Sequence, residues 1–543
     1  MALFRMAAFA GENRALHPTL IPEVAGTLSV NQKPAKGDLR PWKNPLTVKT
    51  VAAGTTSIYR MGRDMVSDTD YWLTWPGTEP VHVVRGPNAV DTQERTYYTG
   101  NGEPRWTDQT KALAGASYPA SFRKLGVPAP TTAMTATLGT EGDHTGLFPG
   151  DYYYTYTYVT VDGEESAPAP VSARLVRYVN DEAVLGSFAA PPLGYESTIN
   201  RVRIYRTQTG SDTTAFFFLR EELVAGLTTV TDDNRQLQEA LETKTWLPPP
   251  ADLKCLIGLW GGMMAGISGR GVRLCEPNVA YAWPIAYEYV PLDYSPVALG
   301  SFGQNLVVLT NGAPMILSGT APDSMDELPV DFVQACLSVR SVVNMGHGVA
   351  WASPDGLAYV GAGGPRLLTA GILDRDDWLA LDPSSIVACM FDGRYVASYK
   401  SGSTRYGFVL DPSNPAGIYF TDIGFIAAYT DDLQDALYIL DNNQIKKWDS
   451  AATNRSVSFR SRLFRTPRPI PAPSCAQVIG DKYPALLTIT ADGEQVFYGL
   501  VTSPEPIRLP GGYHAQEFQM EVLATGAVQS VAMAHSLEEL GQV

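Results

Sequence analysis

An all-β fold is predicted for this chain of 543 residues by three observations. Glycine (49), proline (40) and tyrosine (27) are abundant together, the mixture that many turns between short aromatic strands produce. Short apolar runs are punctuated by tight-turn pairs such as Asn311-Gly312, Asp355-Gly356 and Asp392-Gly393. Helical patterning is confined to two brief segments, RQLQEAL (235–241) and DRDDWLAL (374–381). The length exceeds what a single core organises, so several domains are expected.

Taken in order, residues 1–38 read as an N-terminal arm, irregular because Pro18, Pro22 and Pro34 interrupt it. Residues 39–130 hold the short strands TVKTVAA, TSIYRMG, YWLTW, VHVVRG and RTYYTG, with a turn at Asn101-Gly102, and end in a proline-punctuated linker from residue 107. Residues 131–250 carry their own pattern. In DYYYTYTYVTVDGEES, Tyr152, Tyr154, Tyr156 and Tyr158 share one face, opposite Tyr153, Thr155, Thr157 and Val159, before Asp162-Gly163 turns the chain. RVRIYR points Val202 and Ile204 inward, TQTGSD turns, and AFFFLR returns. Strands at that spacing resemble a fibronectin type III sandwich, which WLPPPADL closes with a stiff boundary.

From 251 to 452, hairpins recur at Gly261-Gly262, Asn311-Gly312, Asp355-Gly356, Asp392-Gly393 and Asp441-Asn442, at spacings of 50, 44, 37 and 49 residues. Units of about 40–50 residues with several short strands each are the mark of β-propeller blades, and strands apolar throughout are what a blade buried on both faces needs. The block 39–130 is expected to complete that propeller. Residues 453–543 return to strands in SVSFRSRLF, ALLTITADGEQVFYGLV, EFQMEVLA and AVQSVAMAH, expected as a C-terminal β-sandwich.

Charge and motifs narrow the function. With 56 acidic and 41 basic side chains the net charge is −15, the wrong balance for a surface that grips phosphate. Five scattered cysteines without a C-x-x-C pair predict neither a zinc framework nor a disulfide scaffold. Arg5 interrupts the apolar start MALFRMAAFAGENR, a poor secretion signal, and the apolar stretch Cys255 to Ile267 is too short to span a bilayer. No nucleophile elbow is complete, since Gly266-Ile267-Ser268-Gly269-Arg270 fails at its last position; no phosphate loop occurs, and the six histidines form no H-x-x-x-H pair.

Propellers also host glycosidases, so the carboxylates need a separate look. Ser353-Pro354-Asp355-Gly356 and Ala491-Asp492-Gly493 are similar to the sialidase Asp-box but lack its following Thr-Trp, and both read as hairpin turns. Asp374, Asp376 and Asp377 read as a helix start rather than a calcium loop. The expectation is therefore a protein that is not an enzyme and needs no cofactor or metal. The strongest basic cluster is FRSRLFRTPRPIP. Its Arg460, Arg462, Arg465 and Arg468, with Phe459 and Phe464 taken as exposed, suit burial against carboxylates of a neighbouring copy; a solvated strand face or a DNA-phosphate contact are the alternatives.

The long runs WLPPPADLKCLIGLWGGMMAGISGRGVRLCEPNVAYAWPIAYEY, VALGSFGQNLVVLTNGAPMILSGTAPDSM, QACLSVRSVVNMGHGVAWASPDGLAYVG and WLALDPSSIVACMFDGRYVASY resemble segments of tail proteins of tailed bacteriophages, as does VVRGPNAVDTQERTYYTGNGEPRWTD upstream. The resemblance covers most of the chain and points to the nozzle, or tail tubular protein B, of short-tailed phages. It implies a hexameric ring in the virion tail, assembled in the host cytoplasm below the portal and head-to-tail adaptor. Tail fibre proteins are implied neighbours, and double-stranded DNA would pass through without sequence-specific binding. Six copies at −15 each carry about −90, a charge from which DNA slides away. A receptor-binding or fibre-anchoring tail component is the second reading and a propeller glycosidase acting on host polysaccharide the third. The fibronectin-like insert departs from the simplest nozzles.

Overall fold

The computed structural model describes residues 4–62, 67–88, 91–208, 215–414 and 416–541. Among these, seven small antiparallel sheets follow one another around a closed, propeller-like ring. Blade 1 has two strands, Thr55–Arg60 and Trp72–Pro76. Blade 2 is built from His82–Arg85, Thr96–Thr99, Arg105–Thr107 and Arg123–Lys124. Blade 3 comprises Lys254–Gly258, Met264–Ser268, Gly271–Leu274 and Glu288–Tyr289, and blade 4 comprises Pro296–Phe302, Asn305–Thr310, Met315–Ser318 and Asp326–Pro329. Blade 5 holds Val343–Asn344, Gly348–Ser353, Gly356–Gly361 and Gly364–Leu367. Blade 6 holds Val387–Phe391, Arg394–Ser401, Thr404–Leu410 and Tyr419–Thr421. In blade 7, Ala427–Asp431, Ala436–Asp441 and Gln444–Lys447 take their outer strand, Leu46–Thr50, from far upstream.

Alternation makes the ring. Along blade 5, Ala350, Ala352, Leu357 and Tyr359 pack with Tyr395 and Phe408 of blade 6, while Val349, Trp351, Ala358 and Val360 pack with Val307 and Leu309 of blade 4. Each strand thus feeds two cores, which is why both of its faces are apolar. The same sharing joins blades 3 and 4, 6 and 7, 1 and 2, and 2 and 3. Tyr438, Leu440 and Ile445 against Ile58 and Trp72 close blade 7 onto blade 1. First strands of blades 3 to 7 begin at Lys254, Pro296, Val343, Val387 and Ala427, spacings of 42, 47, 44 and 40. The hairpin spacings scatter more widely because those turns lie at different places in their blades. Gly261-Gly262 and Asp392-Gly393 join first to second strands, the other three join second to third.

Several expectations change. Residues 39–130 build blades 1 and 2 as well as an outer strand, and the expected linker contains a helical turn, Gln109–Ala112, and the last strand of blade 2. The N-terminal arm is not irregular: Phe4–Met6 and Gly26–Val30 each join a sheet of the C-terminal region. One of those sheets orders Phe4–Met6, Val528–Ala534, Cys475–Gly480 and Ile507–Arg508; the other runs from Gly26–Val30 through Val457–Ser461, His514–Ala524 and Ala485–Ala491 to Glu494–Val501, with Phe464–Pro471 branching from His514–Ala524. A shared core of residues such as Phe9, Phe459, Val522 and Val531 lies between them. The Val30–Phe420 bridge makes the second sheet continuous with blade 6.

Residues 135–232 form two further three-stranded sheets, Thr135–Leu138/Ala183–Gly186/Thr229–Asp232 and Tyr154–Thr160/Ile199–Thr207/Phe216–Leu223, beside the pair Gly150–Tyr152/Leu175–Arg177. Tyr154, Tyr156 and Tyr158 are at most 1% exposed in their core. RQLQEAL is not helical: the chain there hydrogen-bonds along Phe216–Leu223, with Leu237 turned onto the tyrosine core and Leu241 onto Tyr205 and Phe216, so tertiary packing overrides propensity. DRDDWLAL does hold a helix, Arg375–Leu379, capped by Asp374. Most of the TQTGSD turn lies outside the described residues. This unit is inserted between the last strand of blade 2 and the first of blade 3. A Cβ on Gly126 (φ +86°) would lie 2.6–2.7 Å from Pro248 and Pro249, so entry and exit of the insertion touch.

Candidate functional site

The beginnings of the inner strands lie on one face of the ring, and there one side chain reaches across it. Arg340, just ahead of blade 5, donates from Nη1 to the carbonyl of Thr56 in blade 1 at 2.9 Å, a reach across the ring between blades that are not neighbours. Its neighbour Val339 lines a cavity of about 230 Å³ with Glu79, His82, Asp252, Lys254 and Cys255, among others. Burial, reinforced by the Arg340 guanidinium, pushes the His82 imidazole down to about 4, so it is neutral at physiological pH. Burial pushes the Cys255 thiol up to about 12. A thiol held protonated is a poor nucleophile at neutral pH. Arg340 itself is held below its ordinary range by burial and by the neighbouring Arg405.

Arg405 continues the same face into a groove of about 780 Å³ between blades 6 and 7. Its rim comes from the turn between Arg394–Ser401 and Thr404–Leu410, the connection Asp422–Ile426 and the turn at Asp441-Asn442. Gly424 permits the close approach: a Cβ there would lie 2.4–2.5 Å from Arg405 backbone atoms and its Cβ. Two of the groove's cations are matched, Arg455 to Asp422 at 2.6 Å and Lys446 to Asp441 at 2.7 Å. Among the described residues Lys400 and Arg405 meet no carboxylate at salt-bridge distance; Asp382 is the nearby charge on Arg405, which donates to the Ser385 carbonyl at 3.2 Å.

The arginine cluster singled out in the sequence is occupied at home. Arg460 pairs with Glu521 at 2.7 Å, Arg462 with Glu23 at 2.8 Å and Arg465 with Glu517 at 3.6 Å, while Arg468 is exposed. Phe459 is buried against Phe9, and Phe464 is half-buried on Phe4 with the Arg462 guanidinium over its ring. Alternation along Val457–Ser461 turns Phe459 inward with Val457 and Ser461, while Phe464 opens the next strand, Phe464–Pro471. Three of the four arginines thus have a carboxylate within the chain.

Of the other sequence candidates, Asp355 accepts from Gln334 and Arg375, which hold it below the usual carboxylate range, and Asp492 accepts from the Gln516 and Glu517 backbone amides; each ties down a turn. Ser268 of the incomplete elbow donates to Asp252 at 2.6 Å with no histidine between them. All five cysteines are free, and among the described residues no group of three or more His, Cys, Asp or Glu could hold a metal ion. No helix among them is long and apolar enough to cross a membrane. Sequence reading missed Arg340 and Arg405, because nothing local marks an arginine that reaches another blade.

No family model matches the sequence, and no curated protein does. Solved structures similar to it include the extracellular domain of a putative hybrid two-component system, BT4673, from B. thetaiotaomicron (9% identity over 85% of this chain and 47% of that one, TM-score 0.27). Others are an exo-β-1,3-galactanase from Phanerochaete chrysosporium with galactose (10%, 64% and 100%, 0.22) and the dihydro-heme d1 dehydrogenase NirN (12%, 67% and 74%, 0.25). The chain spans about half the length of the first. At those scores the likeness supports no functional argument.

Proposed function

We propose that this chain is a structural subunit of a bacteriophage tail, a nozzle whose copies form a six-membered ring through which DNA leaves the capsid below the portal and adaptor. What carries the reading is the likeness of the long runs between Trp246 and Tyr399 to tail-protein segments. On this reading DNA passes between subunits and not through the ring of blades of any one of them, which Arg340 crosses to reach Thr56. On this reading the protein is a wall block without catalysis or cofactor, residing in the virion tail after assembly in the host cytoplasm. The inserted unit is a fibronectin type III-like sandwich and the C-terminal sheets form a second sandwich.

A second reading, fibre anchoring or receptor binding, draws on the insertion, which hangs from the rim of the ring and leaves Phe148 and Leu193 each 90% exposed. Negative-stain electron microscopy of the purified chain, with antibody labelling of virions, separates the two. Closed six-fold rings on the tail axis are expected. Trimers projecting outward would replace the conduit by the anchoring role.

A further inference from the structure

The groove between blades 6 and 7 carries two cations, Lys400 and Arg405, that among the described residues reach no carboxylate at salt-bridge distance, and the same chain carries the converse feature elsewhere. Asp326–Pro329, the outer strand of blade 4, is paired on one side only, by Met315–Ser318. All four of its residues are exposed, and with its flanks it presents Asp323, Asp326, Glu327 and Asp331, none of which meets a lysine or arginine at salt-bridge distance among the described residues. Leu328 and Val333, 48% and 65% exposed, sit among these carboxylates. An open strand edge is a template for another chain unless something covers it. Groove and strand lie on different blades, so one copy cannot satisfy both against itself.

We propose that the groove between blades 6 and 7 seats the acidic outer strand of blade 4 from a second copy of this chain. The inference rests on the ring reading and supplies its contact: two different patches meeting head to tail generate a ring when the rotation closes. Lys400 and Arg405 face Asp326 and Glu327, and charge-assisted pairs in a partly desolvated groove are the strong kind. Asp422 and Asp441 in the rim are already paired with Arg455 and Lys446, which leaves Lys400 and Arg405 for the carboxylates of the strand, and Ile423 in the groove wall is an apolar neighbour for Leu328.

The test is sedimentation of the full chain at moderate salt, with opposite charge reversals. Lys400→Glu/Arg405→Glu and Asp326→Lys/Glu327→Lys should each raise the concentration for half-assembly by about tenfold or more. Mixed one to one, the two variants should assemble again, because in an alternating ring every groove meets a strand of opposite charge. That rescue also shows that both variants are folded; Lys400→Glu alone, which leaves Arg405 in place, is the gentler version. Arg462→Ala/Arg465→Ala, satisfied internally, should assemble as wild type.

Wild-type rings from the reversed variants, or rings lost in the Arg462/Arg465 pair instead, would overturn this contact while leaving the ring reading standing. So would weaker retention of a DNA duplex by the groove variant with assembly unchanged, which would make the groove a nucleic-acid site. A wild-type chain monomeric at every concentration would overturn both readings.

Discussion

Replacing His82 by glutamine should change how stability responds to acid. The imidazole sits in the cavity beside Val339 with its folded value lowered from 6.5 to about 4. A depressed histidine contributes stability that is complete above its unfolded value and is lost as pH falls through 6.5 toward 4. Between pH 7.5 and pH 5 that loss amounts to about 2 kcal/mol, at 1.36 kcal/mol per unit. It is an upper figure, because the cavity admits water. Glu164 works in the other direction. It is buried where the insertion meets blade 2, 3.1 Å from Arg95, and burial raises it from 4.5 to about 7. As pH falls through that window the folded chain takes up a proton that the unfolded chain does not, adding about 2 kcal/mol.

The two contributions nearly cancel in the wild type, so each single variant should expose the other. Relative to wild type, His82→Gln should gain about 2 kcal/mol between pH 7.5 and 5, and Glu164→Gln should lose a similar amount. Chemical unfolding of the full chain at the two pH values, compared as differences between variant and wild type, measures this. A companion NMR titration of the six histidines should show one imidazole that stays neutral down to about pH 5. If His82→Gln tracks wild type to within about 0.5 kcal/mol at both pH values, or the His82 imidazole titrates between about 6 and 7, the imidazole is solvated and not buried.

Removing Asp232 should unfold the insertion more readily. Its carboxylate, fully buried, takes Arg177 at 2.6 Å, Arg206 at 2.7 Å and the Tyr154 hydroxyl at 2.8 Å. Asp232→Ala therefore strands two guanidiniums at a cost of about 3–5 kcal/mol, seen as early protease cleavage within residues 131–250; unchanged cleavage would show that water reaches the cluster. Asp355→Ala and Asp492→Ala should each cost about 1 kcal/mol, read by urea unfolding, and leave no sialoside or polysaccharide turnover to lose. Turnover that disappears in either variant would restore the glycosidase reading.

The strands and turns were legible because they are local. TSIYRMG, YWLTW, VHVVRG and RTYYTG fall on the strands of blades 1 and 2, and the alternating tyrosines lie on a buried face. A two-residue period states which side chains share a face, and a tight-turn pair states where the chain reverses. Neither states which distant strand will be met. Leu46–Thr50 closes a blade whose other strands begin at Ala427, and Phe4–Met6 pairs with Val531 to Met533. RQLQEAL, patterned as a helix, lies instead along a strand edge. The arginines show the limit most plainly. Four of them crowded in FRSRLFRTPRPIP drew attention as a cluster, yet three find carboxylates in their own chain. Arg340 and Arg405, without any local mark, reach across the ring and line the groove. Composition, turn chemistry and alternation by themselves determined an all-β chain of repeated small sheets. Which edges stay open and which charges stay unmatched was decided only in the tertiary structure, because both depend on contacts between residues hundreds of positions apart.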